Sequence, residues 1–169
     1  SIPVGFVGYF FGDTLENYRG VVGVLIFLIL GSLLMYLGEK SIKKRLIVKD
    51  EISIWKSFKI GLFQVLSLFP GVSRSGATIS GGMIFGLSRK EATRFSFLLS
   101  IPAVLAAGIL KLSSSFNYLN AADAIPMFVG FVSSFIVGMF SIKFMLKFVR
   151  SKKLYPFIYY RFALAGFLL

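Results

Sequence analysis

Residues 20–38 are nineteen consecutive positions without a charge, and that run decides which solvent the chain folds in. About 20 residues, rising 1.5 Å each in a helix, cross the hydrocarbon layer of a bilayer. There every backbone N–H and C=O must be satisfied within its own segment, which favours helices. Runs 95–112 and 125–148 are long enough to do the same, and shorter apolar runs stand at 2–11, 52–69, 75–87 and 155–169. The expected fold class is all-α, a polytopic integral membrane protein forming one membrane domain over 1–169. Composition agrees. With 56% hydrophobic residues and a mean hydropathy of +0.82, a soluble domain of this size would expose far too much apolar surface. The chain starts at Ser1 inside one apolar run and stops at Leu169 inside another, so both ends are expected to be parts of membrane helices, with the domain incomplete at its N-terminus. Residues 1–12 lack the basic n-region and cleavage site of a signal peptide.

A net charge of +12 would ordinarily suggest nucleic acid as a partner. The placement of the charge argues otherwise. The loop at 39–53, the turn at 88–94 and the region 143–153 hold 13 of the 19 Lys and Arg residues. The links at 13–19 and 113–124 hold only Arg19, against Asp13, Glu16 and Asp123. By the positive-inside rule the basic segments are cytoplasmic, and no nucleic-acid partner is expected. The chain has no cysteine and no histidine, which excludes disulfides, thiolate chemistry and any histidine base, nucleophile or metal ligand of its own.

With those loops on one side, the segment 54–87 starts and finishes at the same membrane surface. Its second piece, about 13 residues or roughly 20 Å of helix, is short for a layer of about 30 Å, and Lys56 and Lys59 shorten the first. Pro70 and Gly71 cannot continue a helix comfortably. The expectation is a re-entrant hairpin over 54–87 with its tip at 70–76. Broken backbone at that depth is tolerated only where it is buried in protein or lines a wet cavity.

The tip reads P-G-V-S-R-S-G, followed by A-T. A guanidinium at membrane depth costs a few kcal/mol or more unless an anion meets it, so Arg74 is a site candidate by default. Ser75 reads as the N-cap of the next helix, leaving the amides of Gly76, Ala77 and Thr78 to face an anion. Arg74 can grip two phosphate oxygens at once, and Ser73, Ser75 and Thr78 add hydroxyls. Gly71 and Gly76 allow close backbone approach. Arg74 and Ser73 are the candidate catalytic residues. Ser75, Gly76, Thr78 and Gln64 are the candidate substrate-binding residues. The competing reading pairs Arg74 with a buried carboxylate, yet no apolar segment contains an Asp or Glu. Gln64 either reaches the cavity or bonds a neighbouring helix. Arg161 either snorkels to the cytoplasmic surface, the default, or makes a second phosphate contact. Ser96 and Pro102 read as packing positions, and Gly82-x-x-x-Gly86 and Gly8-x-x-x-Gly12 as faces for close helix contact.

The stretch F-P-G-V-S-R-S-G-A-T-I-S-G-G-M-I-F-G-L at 69–87, with S-R-K-E-A-T-R-F-S-F-L-L-S-I-P at 88–102, closely resembles the bacterial undecaprenyl-diphosphate phosphatases linked to bacitracin resistance. The resemblance extends to Tyr160-Arg161 and covers roughly the C-terminal three-fifths of a family member. It implies two inverted repeats, each with a re-entrant hairpin, in the bacterial inner membrane. It implies hydrolysis of undecaprenyl diphosphate to the monophosphate and phosphate, which recycles the lipid carrier for peptidoglycan. On that pattern Arg74 clamps the diphosphate, and Ser73, Ser75 and Thr78 position it. The family's Glu-x-x-x-Glu and Pro-x-Ser-Ser-Thr-Gly-His elements have no match here; Gln64 and Leu68 stand at the corresponding place. The chain is therefore expected to supply the phosphate-gripping half of the site and to be inactive alone. The resemblance also implies a divalent cation, magnesium or calcium, held by ligands outside this segment, and a missing N-terminal half of the same protein as partner; a homodimer is open. The alternative function is a transporter or flippase for an anionic lipid phosphate, since broken helices aimed at anions also serve transport. Lipid phosphatases with a histidine nucleophile share a Ser-Arg element, but this chain has no histidine to complete their triad.

Overall fold

A computed structural model describes residues 1–43, 52–118 and 120–168. Seven α-helices and three short 3-10 turns account for the regular structure among the described residues, with no strand. In chain order they are α1 Ile2–Glu16, α2 Val21–Lys43, α3 Ile54–Val65, α4 Arg74–Ile84, α5 Arg89–Ser115, α6 Ala124–Ser151 and α7 Tyr155–Leu168. The fold is all-α and three helices are long and apolar enough to cross a membrane, as the apolar runs require. The basic residues Lys44, Arg45 and Lys49 lie outside the described residues.

The segment expected to be broken is broken. Ser53 starts α3 by accepting the Lys56 amide at 3.2 Å. The helix tightens to a 3-10 turn at Leu66–Leu68, runs non-helical over 69–73 and resumes at Arg74. Helices of 12 and 11 residues are each only about 17–18 Å long, well short of the hydrocarbon layer. They pack against each other. Gly71 turns the chain with φ +92°, in the left-handed region that glycine occupies without penalty. A Cβ there would also meet the Val24 carbonyl oxygen at 2.5 Å, so the turn is pressed directly onto α2.

Helix α4 is the centre of the molecule. It packs against α2, α3 and α5, and its residues from Gly76 to Met83 are buried. Ile79 and Met83 join Met35, Ile60, Leu87 and Ile158 in one apolar core. The helix ends in a Schellman motif: the Leu87 amide reaches the Gly82 carbonyl at 2.9 Å and Gly86 takes φ +98°. Gly86 is thus a helix stop, and it is buried. Gly82 does pack as expected, against Ala92 of α5.

Several boundaries differ from the reading by charge. The turn at 88–94 is already helix: Ser88 caps α5 by accepting the Glu91 amide at 3.3 Å. Likewise α2 runs through Glu39 to Lys43, and Lys143 and Lys147 belong to α6. Helix ends project past the apolar layer, so a charged residue there marks the membrane surface without ending the helix. By contrast α6 and the second half of α5 bury almost nothing, and a file of aliphatic and aromatic side chains stands exposed along them. Such a surface suits lipid or other membrane helices.

Candidate active site

The signature begins α4 two residues earlier than expected. Ser73, not Ser75, is the N-cap: its hydroxyl accepts the Gly76 amide at 3.1 Å. The Ala77 amide is taken by the Ser73 carbonyl at 2.8 Å. The amides expected at Gly76 and Ala77 are therefore consumed locally. The donors without an intrahelical acceptor are those of Arg74 and Ser75, the first two helical positions. Ser73 prevails because its backbone is extended, with φ −70° and ψ 122°, as a cap must be.

Arg74 leaves the first turn of α4 toward α5. Its Nη1 makes one long contact, 3.5 Å to the Ser100 carbonyl, and none of its donors meets a carboxylate among the described residues. The guanidinium lines a cavity of about 630 Å³ together with Gln64, Ser67, Leu68 and Pro102. Gln64 is 1% exposed and its Oε1 has no hydrogen-bond partner. A buried acceptor left unsatisfied costs about 1–3 kcal/mol. Gln64 thus reaches the cavity with Arg74 and does not bond a neighbouring helix through that oxygen. Pro102 also belongs here: it lacks an N–H for the Leu98 carbonyl, and the next two carbonyls, of Leu99 and Ser100, take donors from Ser1 and Arg74.

Ser73, Ser75 and Gly76 face elsewhere. They border a separate cavity of about 180 Å³ with Met35, Ile79 and Phe97, and the two hydroxyls lie 3.3 Å apart. A Cβ on Gly76 would meet Met35 Sδ at 3.0 Å, so its space is used by α2. Thr78 is buried against α5: its hydroxyl lies 2.6 Å from Ser96 Oγ and donates to the Arg74 carbonyl at 2.9 Å. Sequence reasoning gathered one cradle. The structure divides those residues, with Arg74 and Gln64 on one side of the tip, Ser73, Ser75 and Gly76 on the other, and Thr78 in the helix interface.

Arg161 does not snorkel to the surface but turns into the protein. From α7 its Nε donates to Ser32 Oγ at 2.9 Å, and Nη2 donates to the carbonyls of Leu28 at 3.0 Å and Gly71 at 2.7 Å. It is a brace that holds the turn before Ser73 against α2. Gly31 makes room for it, because a Cβ there would lie 2.7 Å from Nη2.

Glu39 escaped the reading by charge altogether. It is fully buried, bound in a fork by Arg89 (Nη2 to Oε2 at 2.6 Å, Nε to Oε1 at 2.8 Å), and its Oε1 also accepts the Leu154 amide at 2.9 Å. It ties α2, α5 and the start of α7 together. Neither it nor any other carboxylate among the described residues lines the Arg74 cavity. The residues there offer amide, hydroxyl and guanidinium groups, and no group of three or more metal-ligating side chains occurs among the described residues. By themselves these described groups do not fit a divalent cation, whose sites are usually anchored by at least one carboxylate.

Residues 1–167 match the model of a family described as bacitracin resistance protein BacA.

Proposed function

The chain belongs to the bacitracin resistance protein BacA family, the undecaprenyl-pyrophosphate phosphatases, and from that premise we propose that it takes part in hydrolysing undecaprenyl diphosphate to undecaprenyl phosphate and inorganic phosphate. In this reading 54–87 is a re-entrant hairpin of the bacterial inner membrane, and its tip supplies the phosphate-gripping half of the site. The observation that carries it is Arg74: a guanidinium at a helix break, uncompensated by any described carboxylate, opening on a cavity of about 630 Å³ beside Gln64, whose buried Oε1 has no hydrogen-bond partner. Phosphoryl transfer needs mostly positioning and electrostatic stabilisation, and a planar fork of donors suits the equatorial oxygens.

Each residue has a part. Arg74 holds the diphosphate and stabilises charge on the transferring phosphoryl group. Gln64 turns its amide to a phosphate oxygen or to water. Ser73 acts by capping and aiming the helix that presents Arg74, with Ser75 and Gly76 beside it. Thr78 fixes that helix through Ser96. The apolar groove on the other side of the same turn, about 410 Å³ between Phe27, Leu30, Leu34, Leu66 and Phe69, suits the polyprenyl chain. The group that attacks phosphorus and the acid and base come from outside this segment, as do the ligands of any cation.

The test is phosphate release by the intact protein reconstituted in vesicles with undecaprenyl diphosphate. Stoichiometric release supports the reading. Movement of the lipid across the bilayer without release would replace it by transport.

A further inference from the structure

At the opposite end of α5 from the residues that line the Arg74 cavity lies a second polar hollow. A cavity of about 510 Å³ is lined by Lys90 and Arg94 from the start of α5 and by Leu146, Lys143 and Lys147 from the end of α6. The four cations form two i,i+4 pairs of like charge, an arrangement that destabilises a helix unless something neutralises it. Lys90 adds to the strain, because the first turn of a helix is its positive pole. Glu91, 3.9 Å from Arg94, is the one carboxylate paired with any of the four among the described residues. Lys143 borders a further groove of about 200 Å³ formed by Phe135, Ile136, Met139 and Phe140. All four of these apolar side chains are exposed. A cationic cavity and an apolar groove therefore share Lys143 on α6, at the end of the helices where membrane and water meet.

We infer that this is a binding site for an anionic glycerophospholipid. The phosphodiester sits among Lys90, Arg94, Lys143 and Lys147, and an acyl chain lies along Phe135, Met139 and Phe140. Basic pockets between membrane helices on the cytoplasmic side take anionic headgroups in this way. The residues are separated from those of the Arg74 cavity by eight to twenty positions of α5, roughly 12–30 Å. The inference needs only that the chain is a membrane protein, and it stands whether or not the phosphatase reading does.

Native mass spectrometry of the intact protein in detergent, with phosphatidylglycerol and phosphatidylcholine offered in equal amounts, tests it. Phosphatidylglycerol should be retained in clear preference. Lys143→Gln with Lys147→Gln should cut that preference about tenfold, as should Lys90→Gln with Arg94→Gln, with the thermal midpoint in phosphatidylcholine held or raised because like charges have been removed. Lys152→Gln with Lys153→Gln, basic but outside the cavity, should leave it intact. Equal retention of both lipids, an unaltered preference in both cavity variants, or an equal loss in the control pair would each overturn the site. So would complete displacement of the lipid by millimolar inorganic phosphate, which would make it a site for the free anion.

Discussion

Removing Glu39 should cost far more than its position in a basic, loop-like stretch suggests. The carboxylate is 0% exposed and the Arg89 side chain 22%. Glu39→Ala strands a largely buried guanidinium and leaves the Leu154 amide without its 2.9 Å acceptor. Breaking a buried pair from one side costs about 3–5 kcal/mol, and an orphaned buried donor about 1 kcal/mol or more. Partial access of water to Arg89 lowers the cost of stranding it to about 2–3 kcal/mol, which brings the total to about 3–4 kcal/mol. Arg89→Ala strands a carboxylate with no access at all and should cost as much. In the double variant neither charge is left behind, so its loss should stay near that of either single change. The coupling is then about 3 kcal/mol. The exposed pair Arg94–Glu91, at 3.9 Å with Arg94 67% exposed, supplies the contrast and should couple by no more than about 1 kcal/mol. Denaturant titration in mixed micelles, run as two double-mutant cycles, measures both. Equal coupling in the two cycles would refute the buried lock between α2, α5 and α7.

Gly31→Ala places a methyl group 2.7 Å from Arg161 Nη2 and should dislodge the brace on the Gly71 carbonyl. Phosphate release should fall about 10²-fold in kcat with KM little changed, as expected when a distant change misplaces a site by about 1 Å; Arg161→Lys, which cannot hold the same three acceptors, should match it in steady-state kinetics. Gln64→Leu removes an acceptor that has no partner, so the unfolding midpoint should hold or rise while KM rises roughly tenfold. Thr78→Val should do the reverse: it orphans the Ser96 hydroxyl and lowers stability by about 1–3 kcal/mol in the same titration, with kcat/KM nearly unchanged. A loss of activity without a loss of stability at Thr78 would return it to the substrate side.

The spans and the break were legible because both follow from strong local rules. A nineteen-residue uncharged run has few solutions other than a membrane helix, and Pro70-Gly71 stops a helix wherever it falls. Helix ends were less so. The Ser88–Glu91 pair is a capping signature visible in the sequence, yet the charges of 88–94 read more loudly as a surface turn. Glu39 could not be read at all, since E-K-S-I-K-K-R looks like any basic flank until Arg89, fifty positions away, is folded against it. The site shows the same limit. Ser73, Arg74, Ser75 and Thr78 are neighbours in sequence, but successive positions around a helix point in different directions, so neighbours fall into different cavities. Which residues share a cavity was decided by α1, α2 and α5. Arg161 belongs to the same class: its acceptors Ser32, Leu28 and Gly71 come from other segments.

Arg74 is the group on which the proposed hydrolysis depends, and its substitution in the intact protein is the direct test. Arg74→Ala should lower phosphate release from undecaprenyl diphosphate by about 10³-fold or more, as losing a guanidinium on a transferring phosphoryl group does. Its thermal midpoint should be equal or higher, because an uncompensated charge has left the protein. Arg74→Lys should recover only part of the rate, since a point charge replaces a fork. Release within about tenfold of the unsubstituted protein would contradict the assignment.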